Sequence, residues 1–308
     1  MCCNKNQPSN LGSSETTREA PLFITSKFDF SLYFKNAQPD HLKLNDVTFL
    51  QWFIGFSEGN GSFIISKNRC SFVINQKEIA LLYNIRTRLG FGKVMIYQQG
   101  GVKYGRYYVQ SRQNCLRLAM LFNGNLVLAK TNQRFLKWLQ ILEVVCLNRR
   151  TAVELTNGWL SGFINAEGCF SARIRKNLRA KTGRQFIQKF SLTQANEFQV
   201  LKKILDLFES KSSVQTVANK NNTDVIYYKI EIQSQRSNKL LLNYLEQYPN
   251  LGNKMICIKV YSRLSGYMER NEHLTEIGLN RMKILCNQLI KHRLSTELPP
   301  EMKSLLSD

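Results

Sequence analysis

The sequence predicts an α+β protein built from two pseudo-symmetric αββαββα halves. Each half is an antiparallel sheet with helices on one face, and two helices join the halves. Three observations predict it. First, GFSEGNGSF at 55–63 returns as GFINAEGCF at 162–170, which sets Gly61 and Gly168 at equivalent places, 107 residues apart (168 − 61). Second, the order downstream repeats: FVINQ (72–76) and FSLTQ (190–194) each precede a helical stretch and then a second hairpin. Third, apolar and basic residues alternate in the hairpins, as in a sheet covered on one side only.

The elements follow in order. Residues 1–45 read as a flexible leader. They hold no apolar stretch fit for a secretory signal, and Glu15 and Glu19 against the single Arg18 argue against an organellar transit peptide. The first half, 46–146, opens with the helix FLQWFIGFSEGNG (49–61) and the strand pair SFIISKNRCSFVINQ (62–76). The helix KEIALLYNIRTRLG (77–90) leads to a hairpin at 91–111 turning on Gly100-Gly101, and two further helices close the half. Residues 147–156 form a linker. The second half, 157–295, repeats the order: a glycine-bearing helix ending at Gly168, a strand pair over 169–194, a helix over 197–208, a hairpin over 211–234 turning on Asn221-Asn222, and closing helices. A helix from His273 to Arg293 follows, and 296–308 form a tail.

Of 308 residues 43% are hydrophobic, enough for one large or two smaller cores. The 43 Lys+Arg against 22 Asp+Glu give a formal charge of +21, which implies a polyanionic partner. Nucleic acid is the main reading, with a ribosome-bound or membrane-surface protein as the alternative. No apolar run reaches the ~18 residues of a membrane span. The eight cysteines form no C-x-x-C pair and the three histidines are scattered, which argues against a disulfide scaffold, a cysteine zinc site and a histidine-based nuclease motif. Arg173, Arg175, Arg179, Lys181, Arg184 and Lys189 crowd one strand pair and cannot all be buried, whereas Ile174, Phe186 and Ile187 mark its covered side. Such a ribbon fits a DNA major groove; its alternative is an ordinary solvated face. Lys67, Arg69, Lys103, Arg112 and Lys220 extend the candidate nucleic-acid surface.

Gly55 and Gly59 lie on one helix face, as do Gly158, Gly162 and Ala166. Small residues so spaced let two helix backbones approach closely, with Trp52, Phe53, Phe56, Trp159, Leu160 and Phe163 packing into the half-cores. Gly61 and Gly168 fit the position just past a helix C-terminus. Asn60 and Glu167 are thereby delivered together to a zone of negative potential, where a carboxylate suits a hard divalent cation. The alternative is an ordinary helix interface with polar ends.

These motifs resemble the paired motifs of a single-chain LAGLIDADG homing endonuclease or its group I intron maturase relatives. FNGNLVLAKTNQRFLKWL (122–139), LGNKM (251–255) and NEHLTEIGL (271–279) extend the resemblance over about 45–295. It implies a DNA-binding saddle, a long double-stranded DNA site, Mg²⁺ as cofactor, a monomer and an organellar location. By position it makes Glu167 the metal-binding carboxylate of the second half. Asn60, where the family has Asp or Glu, is its weaker counterpart. Glu58 is no substitute, being two residues earlier and about 200° round the helix. Gln76 and Gln194 match polar residues lining the family's site. Arg106 and Lys229 resemble its central basic residue, with a plain phosphate contact as the alternative. The function implied is site-specific, metal-dependent double-strand DNA cleavage, reduced or nicking because of Asn60. A non-catalytic RNA maturase is the rival, and a sequence-specific transcription regulator a third option.

Overall fold

The computed structural model describes residues 27–36, 46–150, 152–218 and 225–296, the side chains of 293–296 excepted. Two helices cross at its centre. Val47–Asn60 (α2) begins where Asp46 Oδ1 accepts the Phe49 N–H at 2.9 Å. Its counterpart is Trp159–Glu167 (α6), and no other two helices pack so extensively. The first half continues with β1 (Gly61–Ser66), β2 (Arg69–Gln76), α3 (Ile79–Leu89), β3 (Lys93–Gln99), β4 (Val102–Val109), α4 (Arg112–Phe122) and α5 (Ala129–Leu142). The second continues with β5 (Cys169–Lys176), β6 (Arg184–Ala195), α7 (Phe198–Leu207), β7 (Gln215–Val217), β8 (Tyr227–Ile232), α8 (Gln235–Gln247), α9 (Asn253–Glu269) and α10 (Glu276–Thr296). The antiparallel sheets have matching orders, β1-β2-β4-β3 and β5-β6-β8-β7. The αββαββα reading therefore holds for both halves.

Alternation decides what each sheet face meets. Phe72, Ile74, Tyr107 and Val109 point to the helical side of the first sheet, and Phe186, Phe190, Leu192, Ile230 and Ile232 to that of the second; all are buried. Phe63 packs on Phe135 and edge-on to Trp138, and Phe170 packs edge-on to Tyr261, so each half has an aromatic centre at the equivalent place. One continuous core runs through the crossing helices into both halves. The prediction for Ile187 is corrected: it pairs with Arg173 on the open face, because a period of two sets it opposite its buried neighbours Phe186 and Gln188.

Other boundaries also move. Ser31–Lys35 (α1), inside the predicted leader, packs on α4 with Phe30 and Tyr33 buried. Asp29 is held there from both sides, as its N–H donates to Asn125 Oδ1 at 3.0 Å and its carbonyl accepts from Asn125 Nδ2 at 2.7 Å. In the linker, Arg150 is buried, stacked on Phe28 at 4.3 Å and paired with Glu154 at 3.2 Å. The predicted final helix becomes a short 3₁₀ turn, Glu272–Leu274, followed by α10, which packs on α9 and the edge strand β5. The turn at Gly100-Gly101 has both residues at positive φ, as a two-residue hairpin demands. Lys220 and the Asn221-Asn222 turn lie outside the described residues, as do 1–26 and 297–308. Among the described residues no helix is long and apolar enough to cross a membrane.

Candidate metal and nucleic-acid site

The crossing is closer than any side chain allows. A Cβ on Gly55 would lie 2.0 Å from the Trp159 carbonyl oxygen, and one on Gly162 would lie 1.8 Å from that of Trp52. Both partners are related by the same 107-residue offset (162 − 55, 159 − 52), so the contact is reciprocal about a pseudo-twofold axis. At the far end of the crossing a Cβ on Gly59 would stand 2.5 Å from Ala166 Cβ and 3.4 Å from Glu167 Oε1. The carboxylate of one half therefore rests against the last turn of the other half's helix, beside Asn60. Both Asn60 and Glu167 are half-buried.

Gly61 and Gly168 end these helices, as predicted, but not in a left-handed turn. Both are extended, at φ −90° and −69°, and lead straight into β1 and β5. Their requirement for glycine is steric. A Cβ on Gly61 would be 2.6 Å from the Ser57 carbonyl oxygen and 2.8 Å from the Phe72 ring; on Gly168 it would be 2.6 Å from that of Ile164 and 3.0 Å from the Phe190 ring.

Strand register assembles the rest of each corner. Gly61 lies opposite Ile74, and Asn75, next along, pairs with Arg106 and accepts its Nε–H at 2.9 Å. The Arg106 guanidinium lies 5.4 Å above the Tyr97 ring. Cys169 lies opposite Ser191, and Thr193, two residues on, pairs with Lys229. Gln76 and Gln194 end the same strand stretches, but alternation sets them toward the helical side while Arg106 and Lys229 share the open face. The second half adds a feature the sequence does not reveal. Glu231 bonds Lys229 at 2.7 Å and Lys189 at 2.8 Å. Burial pushes the Glu231 carboxyl up, but the two ammonium groups outweigh it and hold it at about 2.

The candidate nucleic-acid residues divide. Arg69, Arg173 and Arg175 lie on the open faces, Arg175 braced by Gln185 Oε1 at 3.0 and 2.8 Å; Lys67, Lys103, Arg179 and Lys181 lie at hairpin ends. Lys189 is on the open face but engaged by Glu231. Two are placed elsewhere. Arg184 is exposed but shares the side of Phe186, and Arg112 starts α4 in the helical layer, where it bonds the Ile141 carbonyl at 3.5 Å and pairs with Glu143 at 3.6 Å.

Glu58 has a structural task. Its Oε1 accepts the N–H groups of Val127 and Leu128 at 2.9 and 2.6 Å, and its Oε2 the Trp159 indole N–H at 2.6 Å. Asn165 takes the equivalent place, accepting from Leu251 N at 2.8 Å and Asn250 Nδ2 at 3.1 Å. Trp52 then finds no acceptor, and its Nε1 is buried without a partner. Burial pushes the Glu58 carboxyl up to about 8, against the donors that favour its ionised form. A carboxyl raised on folding takes up a proton, so its contribution is complete below the unfolded value near 4.5 and is lost as pH rises through about 8. Thermal melts should therefore show stability falling between pH 5 and 8, and Glu58→Gln should flatten that slope; an unchanged slope would assign it to other groups.

Two further glutamates cross between halves. Glu78, just before α3, accepts the Asn253 N–H with both oxygens, at 2.9 and 3.0 Å. Glu197, just before α7, accepts the Lys130 N–H at 3.1 Å. Each half thus lays a carboxylate on the N-terminus of the other half's long helix. Burial raises both carboxyls. A glutamate soon after FVINQ and after FSLTQ was the available signal in the sequence.

Paired glycine helices meeting at Asn60 and Glu167 between two like sheets now allow comparison with known proteins. The chain matches the LAGLIDADG endonuclease family over residues 53–142 and 160–264. It belongs to that family. It is 31% identical over 178 residues to probable intron-encoded endonuclease 4 of Neurospora crassa, a match spanning 54% of this chain but 32% of that protein. A cox1 intron-2 37.2 kDa protein of Schizosaccharomyces pombe is 25% identical over 89% of this chain and 80% of its own length. Intron-encoded RNA maturase bI4 of Saccharomyces cerevisiae is 27% identical over 47% of this chain and 21% of its length. The fold matches the I-LtrWI LAGLIDADG homing endonuclease, solved with target DNA, at a TM-score of 0.63 and 19% identity over 79% of this chain and 98% of that one.

Proteins of this family are metal-dependent nucleases, and the donor set fits a hard cation. Glu167 would supply one carboxylate and Asn60 one amide oxygen, both hard oxygen donors. Among the described residues no three His, Cys, Asp or Glu gather into a cage.

Proposed function

We propose that the chain is a site-specific DNA endonuclease that hydrolyses phosphodiester bonds in a long duplex site, with unequal corners for the two strands. One observation carries this reading: the Glu167 carboxylate set against Gly59, beside Asn60, between two open sheets bearing basic residues. Glu167, with Asn60 as the weaker partner, would hold Mg²⁺. That ion, when bound, makes water nucleophilic and stabilises the leaving oxygen. The chain's own residues do the rest. Arg106, fixed by Asn75 and Tyr97, places a preset positive charge against the backbone, and Lys229 does so from the second sheet. Gln76 and Gln194 orient water at the strand ends. Arg69, Arg173 and Arg175 grip the duplex across the open faces. The two halves complete the crossing within one chain, which supports a monomer. The relatives' intron-encoded names support an organellar origin.

Asn60 removes the charge that would match Glu167, so the expected product from a supercoiled plasmid carrying the insertion site, with Mg²⁺, is mainly nicked circle from the Glu167 corner. Asn60→Asp should raise the yield of linear product. Neither nicked nor linear plasmid from the parent would sink the enzyme reading. Unchanged cleavage by Asn60→Asp would remove residue 60 from the metal site.

The rival reading, an RNA maturase acting on a group I intron, is favoured by the yeast maturase relative and by the missing carboxylate. Host-intron splicing with and without the protein decides it, beside duplex affinity across salt concentrations. A DNA reader shows sequence preference and a steep salt slope.

A further inference from the structure

The central cations of the two open faces are held by different means. In the first half a neutral amide does it: Asn75 Oδ1 accepts the Arg106 Nε–H at 2.9 Å. The matched strand ends Gln76 and Gln194 are 118 residues apart (194 − 76), which sets Thr193 at the place of Asn75 (193 − 118). Thr193 has no amide to offer Lys229, and a carboxylate takes over. Glu231 Oε1 meets Lys229 Nζ at 2.7 Å and Lys189 Nζ at 2.8 Å, while its Oε2 accepts from Gln233 Nε2 at 3.3 Å. Glu231 pairs with Ser191 across β6 and β8; Lys229 stands two residues before Glu231, and Lys189 two residues before Ser191. Period-two alternation therefore puts all three on the open face, and all are half-buried. The first half has Ser71 at the place of Lys189 (189 − 118) and Tyr108 at that of Glu231, by the offset between Lys229 and Arg106 (231 − 123).

Charge gives this arrangement a purpose. Lysine carries its charge on a flexible four-carbon stem, whereas the planar guanidinium of Arg106 is fixed by one amide and one ring. A carboxylate anchors the stem but cancels its charge, and the second lysine restores it. Two ammonium groups and one carboxylate leave one net positive charge, the same as Arg106 on its neutral amide. We propose that Glu231 is a positioning residue for Lys229, and that Lys189 is the counter-charge that keeps the anchored group positive toward DNA. Lys189 then acts through Glu231 and not as a phosphate contact of its own. The purpose rests on the endonuclease reading; the ion triad stands without it.

Glu231→Gln, Lys189→Met and the double variant test this on the full chain, with Lys189→Arg as the change that keeps the charge. The first readout is the salt dependence of binding to a duplex carrying the insertion site, without divalent ions. Each charge that neutralises a phosphate contributes about 0.9 to the slope of log affinity against log salt. Glu231→Gln should steepen the slope by about that amount, Lys189→Met should flatten it by as much, and the double variant should return to the parent slope. The second readout is the Lys229 Cε resonance in lysine-¹³C-labelled protein without DNA. It should stay in place in Lys189→Met and Lys189→Arg, and move toward that of a mobile lysine in Glu231→Gln and the double variant. With Mg²⁺, both variants lacking Glu231 should cleave roughly 10–100-fold more slowly in a single turnover, the scale for a misplaced group, although they bind no more weakly. A slope that falls in Lys189→Met and stays low in the double variant overturns the counter-charge role, because Lys189 would then contact phosphate directly. A Lys229 resonance that stays in place in Glu231→Gln overturns the anchoring. Slopes and resonances that follow the charge count in a protein that never cuts DNA would sink only the endonuclease reading.

Discussion

Gly162→Ala is expected to cost at least about 3 kcal/mol, the upper end of overpacking effects, and to lower the melting temperature by roughly 10 °C. The added methyl would sit 1.8 Å from the Trp52 carbonyl oxygen and 2.7 Å from its carbon. Those are backbone atoms inside a helix, so no side-chain rotation relieves the contact. The helices must separate, which opens the core between Trp52, Phe56, Trp159 and Phe163. Gly55→Ala should behave alike, because its methyl would lie 2.0 Å from the Trp159 carbonyl oxygen. The two changes together should cost less than their sum, since one separation relieves both. Gly266→Ala is the control. It lies in α9 with only the flexible end of Arg270 nearby, at 3.2 Å, and should be neutral or stabilise by about 0.5–1 kcal/mol. Urea melts of the three variants decide the matter; a Gly162→Ala protein as stable as the parent would mean that the helices do not cross at this distance.

Glu167→Gln should lower cleavage on the order of 100–1,000-fold, the scale for losing one preorganised charge-stabilising group, while leaving duplex affinity intact or stronger. The amide keeps the size and one acceptor oxygen of the carboxyl, so packing against Gly59 and Ala166 survives. Only the charge goes, and with Asn60 already neutral no carboxylate would remain at the helix ends. Binding rests on the open faces, and removing a negative charge near the phosphates does not weaken it. Single-turnover cleavage and duplex binding without divalent ions separate the two effects. A variant that cleaves like the parent would take Glu167 out of the metal site. Glu167→Gln and Asn60→Asp should thus move cleavage in opposite directions, at positions that are equivalent by the repeat.

Much of this was legible in the residues. The repeated glycine motif, the matching FVINQ and FSLTQ strands and the Gly-Gly turn act locally, through spacing, backbone freedom and period-two alternation, and they fixed the element order, the two-helix joint and the pair Asn60 and Glu167. Arg106 and Lys229 were placed by their distance from the next repeated phrase, and the register confirms that they sit at equivalent places. Less local features were not legible. Ile187 looked like a core residue by chemistry, yet its place in the alternation sets it, half-buried, on the open face. Gly61 and Gly168 were legible as helix ends, but the reason each must be glycine was not: a phenylalanine from the neighbouring strand and a carbonyl from the preceding turn leave no room for a methyl group.

By itself the sequence determined the halves, their internal order, the glycine rows and a basic chain with one intact acidic motif end, because each of these depends on residues near one another along the chain. Only the tertiary structure decided that Glu78 and Glu197 cross to the opposite half, that Glu58 and Asn165 hold loops about seventy and eighty-six residues away, and that Glu231 binds two of the lysines on the open face. Such contacts follow from how the packed halves orient their helix ends, and no spacing within either half encodes them.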